Sequence, residues 1–433
     1  MYDPSIAIWL LLGSFVVFII CKMPVVFALA VSSCITMLYM GIPLMAFIQQ
    51  MGKAVNSFSL MAIPFFVFAG ELMGAGGISN RLLDCANAIV GRFRGGLSYV
   101  NVLGSMFFGH LSGSAVADVS SLGSVEIPMM EKAGYDKDFS VAITVASSCQ
   151  GVLIPPSHNM IIYSVAAGGV SVGALFMAGL VPGILCGIML LIVCFVLAQI
   201  RHYPKGEKIP FKRAVKIVWN ALLALFTAVI ILVGVTAGIF TATESAAIAC
   251  IYAFIISVFV YRELKLTQIP RLLMNTVKTL AMVFSLIAAA GAFGYLLAML
   301  RVPSMITQGL MAISSSKVVI FLLINLMLLL LGCIMDMAPL ILIVTPILVP
   351  VVQSFGMSPV QFGVMLIFNL AVGLCTPPVG SALFVGCGIG KISVERTVKA
   401  MLPMYAAMIV GLLLVTFVPS ISLFLPRLLG YAV

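Results

Sequence analysis

The sequence contains very few charged residues. Only 8% of its 433 residues are Asp, Glu, Lys or Arg, whereas 63% are hydrophobic and the mean hydropathy is +1.24. This balance excludes a soluble globular domain, and the apolar runs are too long for the strands of a membrane barrel. The composition therefore predicts an all-α polytopic membrane protein that is embedded in a lipid bilayer.

Motifs for metal, nucleotide or hydrolytic chemistry are missing too. The ten Cys form no CxxC pair, and the three His offer no zinc spacing. HExxH and Walker motifs are absent. A GVSVG segment at 169–173 matches the nucleophile elbow by letter only, because it lies between two predicted spans. We expect no enzyme activity and no cofactor, so transport must draw on an ion gradient or on a partner.

Basic residues in short loops account for the net charge of +10. Such loops are typical of the cytoplasmic side of a membrane protein, so nucleic acid is not the expected partner. The loop at 201–216 is the most basic, and counting spans from it places both termini in the periplasm. The N-terminus shows no cleavable signal peptide.

Apolar runs divide the chain into about ten membrane spans and two shorter hairpins. Scaffold helices are predicted at 1–56, a first repeat at 57–200, a basic loop with scaffold helices at 201–278, and a second repeat at 279–426. The hairpins at 97–131 and 317–352 are too short for two crossings each, which predicts that they are re-entrant. Residues 78–96 and 262–278 are expected to be loops, and the segments 139–165 and 361–386 to be broken helices.

The two halves match without a gap when the chain is shifted by 222 residues. Pro155-Pro156 then falls on Pro377-Pro378, Gly151 on Gly373, and hairpin on hairpin. The number of crossings between equivalent elements is odd, so the halves are predicted to be inverted in the membrane. Inverted repeats with discontinuous helices are typical of secondary transporters.

The diprolines mark the predicted functional site. A Pro-Pro pair cannot continue a helix, and the carbonyls that it frees must find partners or line a cavity. Freed carbonyls, hydroxyls and a carboxylate suit Na⁺, which we expect to be the coupling ion with H⁺ as the open alternative, while half-helix N-termini suit an anionic group. The predicted Na⁺ ligands are Ser112, Ser114, Gly151, Leu153, Pro156, Gly332, Asp336, Gly373, Thr376 and Pro378. The predicted substrate contacts are Ser114, Asp118, Pro155, Ser157, His158, Thr376 and Pro377.

Acidic residues within apolar segments receive separate interpretations. Asp118 and Asp336 are functional candidates, because a carboxylate at membrane depth is costly. Glu244 is either a coupling residue or a favourable charge in the first turn of a helix, and both readings stay open. Glu71 is expected to lie at the membrane interface.

Several motifs together resemble the large membrane subunit of tripartite ATP-independent periplasmic (TRAP) transporters. They are FSLMAIPFFVFAGELMGAGG at 58–77, LSGSAVAD at 111–118, IPPS at 154–157, GIFTATESAA at 238–247, the segment 336–350, and GLCTPPVG at 373–380. The resemblance extends over essentially the whole chain.

This resemblance implies a Na⁺-driven elevator importer of the bacterial inner membrane. It also implies two partners, a small four-helix membrane subunit on a separate chain and a soluble periplasmic binding protein. Sialic acid, C4-dicarboxylates and related carboxylates or sulfonates all fit as substrates. Two other functions stay open at this point: a passive pore for small anions, and an intramembrane hydrolase that uses Ser114 with His110 or His158.

Overall fold

The computed structural model describes residues 3–206 and 209–433, and the side chains of residues 110–112 lie outside that description. Within these ranges the regular structure is helical, apart from a single antiparallel bridge between Arg94 and Lys205. The all-α fold that the composition predicts is therefore confirmed.

The first half of the chain forms eleven helices in the described part. Their bounds are α1 (Pro4–Ile20), α2 (Val25–Met40), α3 (Leu44–Val55), α4 (Ala62–Ala75), α5 (Ile78–Val90), α6 (Gly96–Ser112), α7 (Ala115–Ser121), α8 (Gly123–Lys132), α9 (Lys137–Leu153), α10 (His158–Ala166) and α11 (Val172–Ile200). A short 3-10 helix (Phe58–Met61) leads into α4.

The second half forms ten more. Their bounds are α12 (Phe211–Thr236), α13 (Ala242–Ile255), α14 (Ile269–Met299), α15 (Val302–Ile313), α16 (Lys317–Gly332), α17 (Met337–Ser354), α18 (Pro359–Leu374), α19 (Ser381–Gly390), α20 (Val394–Phe417) and α21 (Pro419–Leu428). A π-helical turn (Ile256–Val260) extends α13, and a 3-10 turn (Leu266–Gln268) precedes α14.

Seven helices are long and apolar enough to cross a membrane, or eight if the bent pair α9–α10 counts as one span, in the part of the chain that the structure describes. Most predicted spans fall on these helices. The first, second and ninth correspond to shorter apolar helices, because α1, α2 and α18 have only 17, 16 and 16 residues. One long helix, α17, belongs instead to the second hairpin.

Two predicted loops are helical, and the expectation of loops there was wrong. Residues 78–90 form α5, whose apolar side chains Ile78, Leu82 and Leu83 are buried. Most of 262–278 belongs to α14, which starts with Pro270 at its N-terminal turn. Proline fits that position because the first turn needs no N–H donor. Both segments contain charged residues, and this polarity led to the prediction of loops.

The repeat register reappears in the helix ends. α9 begins at Lys137 and α18 at Pro359, while α11 begins at Val172 and α20 at Val394; each pair is 222 residues apart. The hairpins (α6 with α7 and α8; α16 with α17) also end 222 residues apart, at Lys132 and Ser354. We refer below to hairpin 1 and hairpin 2 for these two units.

The two broken helices form the centre of the protein. All side chains of α9 from Phe139 to Leu153 and of α18 from Val360 to Leu374 are buried. At their crossing the Cys149 thiol donates to the Ala371 carbonyl (3.1 Å), and the Cys375 thiol donates to the Val145 carbonyl (3.2 Å). Packing between the repeats therefore places both diproline breaks on one central unit.

Each repeat ties its hairpin to its broken helix through buried amide and hydroxyl groups. In the first repeat the Asn101 amide donates to Thr144 Oγ1 (2.7 Å), and the Ser147 hydroxyl donates to Asn101 Oδ1 (2.8 Å). In the second, Asn369 Nδ2 donates to the carbonyl oxygen and to Oδ1 of Asn325, at 2.9 and 3.0 Å. Ser147 and Asn369 occupy equivalent positions of the repeat, so the hydrogen bonding that joins the elements is itself repeated.

Replacing Asn369 tests this buried network. Asn369→Ala leaves Oδ1 of Asn325 without this donor inside the protein, where a lost partner costs about 1–3 kcal/mol. We expect a clearly lower apparent melting temperature in detergent. The matched control is Asn220→Ala on the exposed face of α12, which should melt like the parent. Equal melting temperatures for the two variants would show that the network does not stabilise the fold.

Candidate ion and substrate site

The first diproline interrupts a helix at the centre of the protein. α9 ends at Leu153, α10 begins at His158, and the two axes differ in direction by 51°. The peptide bond between Pro155 and Pro156 is cis. Neither proline offers an N–H to the helix, and the Ser157 hydroxyl is buried with no hydrogen-bond partner among the described residues. The break thus brings main-chain oxygens and a hydroxyl to one point.

The tip of hairpin 1 lies directly against this break. Asn159 Nδ2 donates to the Gly113 carbonyl at 3.0 Å. The backbones of α6 and α9 are in close contact where the two helices cross. A Cβ atom added to Gly151 would lie only 2.8 Å from Gly109 Cα. Ser114 caps the N-terminus of α7, and its hydroxyl accepts the Ala117 N–H at 3.4 Å. Hairpin and broken helix therefore form one tightly packed unit.

The second repeat reproduces the same contact. α18 ends at Leu374, α19 begins at Ser381, and the Pro377-Pro378 bond is also cis. The Val379 N–H donates to the Cys333 carbonyl at the tip of hairpin 2 (3.0 Å). A Cβ built on Gly373 would lie 2.7 Å from the carbonyl carbon of Gly332. The predicted second set of residues is therefore assembled as the first one is.

The two candidate carboxylates occupy different environments. Asp336 lies at the start of α17, exposed, in an extended conformation, and its side chain does not cap the helix. Asp118 is only 1% exposed, and its carboxyl faces Gly151. Of the two, Asp336 is the one accessible from outside the protein.

A cavity of about 470 Å³ opens beside the tip of hairpin 1. Ser114, Ala117, Ser121 and His158 line one wall, on the hairpin and on α10. The opposite wall, from α4 and α14, contains Ile63, Val67, Gly70, Glu71, Gly74, Leu272, Thr279 and Val283. The N-terminus of α10 borders this space, and such a terminus favours an anionic group.

Only part of the predicted substrate set lines this cavity. Ser114 and His158 do, whereas Pro155, Ser157 and Asp118 are buried and do not line it. Thr376 and Pro377 belong to the second break. The side chains of Ser112 and His110 lie outside the described residues. Their roles, and those of the predicted Na⁺ ligands, stay predictions.

The wall that α4 and α14 contribute was not predicted from the sequence. Glu71 was expected at the membrane interface, but it lines the cavity and accepts a hydrogen bond from Asn275 Nδ2 at 3.3 Å. The available signal was a carboxylate inside the apolar run of 58–77, which by the cost of burial should have ranked with the other candidates.

Glu244 has a local structural role. Its carboxylate accepts the Thr241 N–H (2.7 Å), while Thr241 Oγ1 accepts the Glu244 N–H (3.2 Å), so the pair forms a capping box at the start of α13. This arrangement accounts for an acidic residue in the first turn. A coupling role for Glu244 stays a prediction.

Comparison with known proteins identifies the family. The sequence model of the DctM component of tripartite ATP-independent periplasmic transporters matches residues 12–421. The chain belongs to this family. Curated DctM relatives align along nearly its whole length: a large permease protein for sialic acid, SiaM of Vibrio cholerae, is 40% identical over 88% of this chain and 90% of its own.

Two further relatives extend the comparison. An uncharacterized protein of Salmonella typhimurium, YgiK, is 42% identical and covers 96% of this chain and 97% of its own. The isethionate permease protein DctMQ of Oleidesulfovibrio alaskensis is 39% identical over 96% of this chain, which spans 65% of that longer protein. Membership in the DctM family, and transport as its general function, are thereby established.

Solved structures agree at the level of the fold. The YdaH transporter of Alcanivorax borkumensis superposes with a TM-score of 0.62 at 15% identity, over 84% of this chain and 86% of its own. MtrF of Neisseria gonorrhoeae gives 0.62 at 13% identity, over 95% and 96%. At these identities the likeness concerns the membrane-transporter fold alone.

Proposed function

We propose that this DctM-family chain is the transport subunit of a Na⁺-coupled importer for a small organic acid. The observation that supports the proposal best is the paired geometry: in each repeat a hairpin tip packs against a diproline break, and the first pair borders a cavity. Relatives are named as permeases for isethionate, sialic acid and C4-dicarboxylates, all of which are organic anions.

Sodium binding is proposed at both breaks. Na⁺ prefers several oxygen ligands, and main-chain carbonyls released by a broken helix can provide them without burying a full negative charge. The first site would use residues 112–114 with 151–157, and the second 332–336 with 373–378. Asp336 would add a carboxylate to the second site, where its exposure leaves it accessible to a cation.

An elevator movement is consistent with how the cavity is built. One wall belongs to the unit of hairpin 1 and α10, which is packed on the central helices, and the other to α4 and α14. A substrate held between these walls could cross the membrane if the central unit moved along α4 and α14. The helix ends at the diproline breaks would move together with the substrate, so the ion sites and the substrate site would stay next to each other.

The remaining parts of the proposal concern partners and location. A separate small membrane subunit and a periplasmic binding protein would complete the importer in the bacterial inner membrane, with both termini in the periplasm. The exposed apolar residues of the long helices, among them Trp219, Phe226 and Ile192, fit contact with lipid or with a membrane partner.

Reconstitution tests the proposal. The chain would be placed in liposomes with a small subunit and binding protein, and uptake of labelled sialic acid, isethionate and a C4-dicarboxylate would be followed. We expect saturable uptake of one class that requires the binding protein and an inward Na⁺ gradient. Uptake indifferent to the Na⁺ gradient would contradict the coupling, and non-saturable flux without the binding protein would indicate a pore.

A further inference from the structure

Hairpin 1 contains a second acidic residue that the proposed Na⁺ and substrate sites do not use. Glu126 lies in α8 and is 0% exposed. Neither of its carboxyl oxygens has a hydrogen-bond partner among the described residues. A carboxylate in an apolar interior without a partner is strongly unfavourable, so the group must acquire a cation or a proton.

Packing alone does not require a carboxyl group at this position. The equivalent residue of hairpin 2, 222 positions later, is Leu348, which is buried too. The same helix arm is therefore built with a leucine in one repeat and a glutamic acid in the other. The difference between the repeats points to a function for Glu126 that hairpin 2 does not share.

A polar groove lies close to Glu126, and its lining includes the neighbouring residue Val125. The groove has a volume of about 170 Å³ and is lined by Asn80, Asp84 and Asn87 of α5 together with Leu83, Val100, Val125 and Met129. A Cβ built on Gly104 would lie 2.7 Å from Leu83 Cδ2 and 3.0 Å from Glu126 Oε1. Leu83, which lines the groove, thus reaches the point over Gly104 that the Glu126 carboxyl also approaches.

Few charges surround this carboxyl. Asp118 on the same hairpin acts on Glu126 and, when ionised, disfavours its ionisation. Asp84 of α5 lines the groove. Burial raises the pKa of the Asp84 carboxyl, and the nearby Arg81 and Arg213 lower that pKa. Charges on the helices packed against α8 lie at the far end of that helix: Lys137 and Asp138 begin α9, and Lys137 is ion-paired with Glu131 at the surface (3.6 Å). The other titratable groups of these helices with described side chains are weakly ionising: Tyr99 of α6, Cys149 of α9 and Cys387 of α19.

The surroundings favour a proton over a metal ion. Na⁺ requires several oxygen ligands, whereas the side chains that approach the same point over Gly104 as the Glu126 carboxyl are the apolar Leu83 and Leu122. The oxygens of Asn101, Thr144 and Ser147 are engaged with one another. A proton needs no ligand shell, since it converts the carboxylate into a neutral acid.

We propose that Glu126 is a proton-binding site of hairpin 1 that exchanges with water in the α5 groove when Leu83 moves aside. The Glu126 carboxylate binds one proton from the groove and becomes a carboxylic acid, and release returns that proton to water. Because only the neutral form suits the buried position, proton binding is linked to the movement of hairpin 1 past α5. The proposal rests on the proposed transport function.

Uptake measured at different pH values tests the proton site. With the Na⁺ gradient fixed and equal pH on both sides of the liposome, parental uptake should fall as pH rises, by about tenfold for each pH unit above the midpoint. Glu126→Gln is permanently neutral, and its uptake should stay constant over the same range. Glu131→Gln, on the same helix and ion-paired with Lys137 at the surface (3.6 Å), should keep the parental profile.

Two further measurements do not depend on the Gln variant alone. Leu83→Ala should admit water to Glu126, stabilise the carboxylate and move the midpoint of the pH profile to lower pH. The infrared spectrum of the reconstituted parent at neutral pH should show a protonated-carboxyl band that is absent from Glu126→Gln.

The outcomes separate the two proposals. A pH profile of Glu126→Gln identical to that of the parent, an unshifted midpoint in Leu83→Ala, or no infrared difference would overturn the proton site while Na⁺-driven uptake persisted. Uptake that ignores the Na⁺ gradient at every pH would instead remove the transport proposal.

Discussion

Gly151→Ala is expected to abolish most transport while adding only one methyl group. That methyl would lie 2.8 Å from Gly109 Cα, and backbone atoms cannot turn away as a flexible side chain can. Forcing extra volume into such a contact costs about 1–3 kcal/mol. The hairpin would move away from the break, and the carbonyls around Ser157 would lose the geometry that a cation requires. We expect uptake to fall at least about tenfold.

Equivalent and control positions sharpen this test. Gly373→Ala should have a comparable effect, since its methyl would lie 2.7 Å from the carbonyl carbon of Gly332. Gly388→Ala, on the exposed side of α19, has no atom within 4 Å of the new methyl and should transport like the parent. Parental uptake by Gly151→Ala, with all three proteins equally well folded by size-exclusion chromatography, would show that the close crossing is not needed for function.

Features that depend on local chemistry could be predicted from the sequence. Two prolines in an apolar run break a helix in any tertiary context, so the breaks at 155–156 and 377–378 and the hairpins beside them were predictable. The register of the repeat was equally accessible, because Pro and Gly positions that need a special backbone recur at the same spacing. These features locate the centre of the protein and its two related halves.

Features that depend on which helices pack together could not be predicted. The cavity wall opposite Ser114 comes from Glu71 and from Leu272 and Thr279, about two hundred residues further along the chain, and no local pattern joins these segments. The burial of Glu126 was hidden for the same reason, since a single acidic residue in a helix shows neither its depth nor its neighbours. α5 was missed because its charged face resembles a loop.

Asp336→Asn is expected to weaken Na⁺-dependent uptake severely without affecting folding. The substitution keeps the size of the side chain and an oxygen suited to the start of α17, but it removes the negative charge. Since Asp336 is exposed and makes no capping bond, stability should change little. The loss of a full charge near a bound cation should raise the Na⁺ concentration needed for half-maximal uptake by at least about tenfold.

A control at the start of another helix tests whether the effect depends on the charge of Asp336. Glu395→Gln removes an exposed carboxylate from the first turn of α20, outside both diproline breaks, and should leave the Na⁺ dependence unchanged. If raising Na⁺ restores the maximal rate of Asp336→Asn, the carboxylate acts by holding the ion. An unchanged Na⁺ requirement in Asp336→Asn would mean that main-chain oxygens alone bind the cation at hairpin 2, and Asp336 would then have no part in coupling.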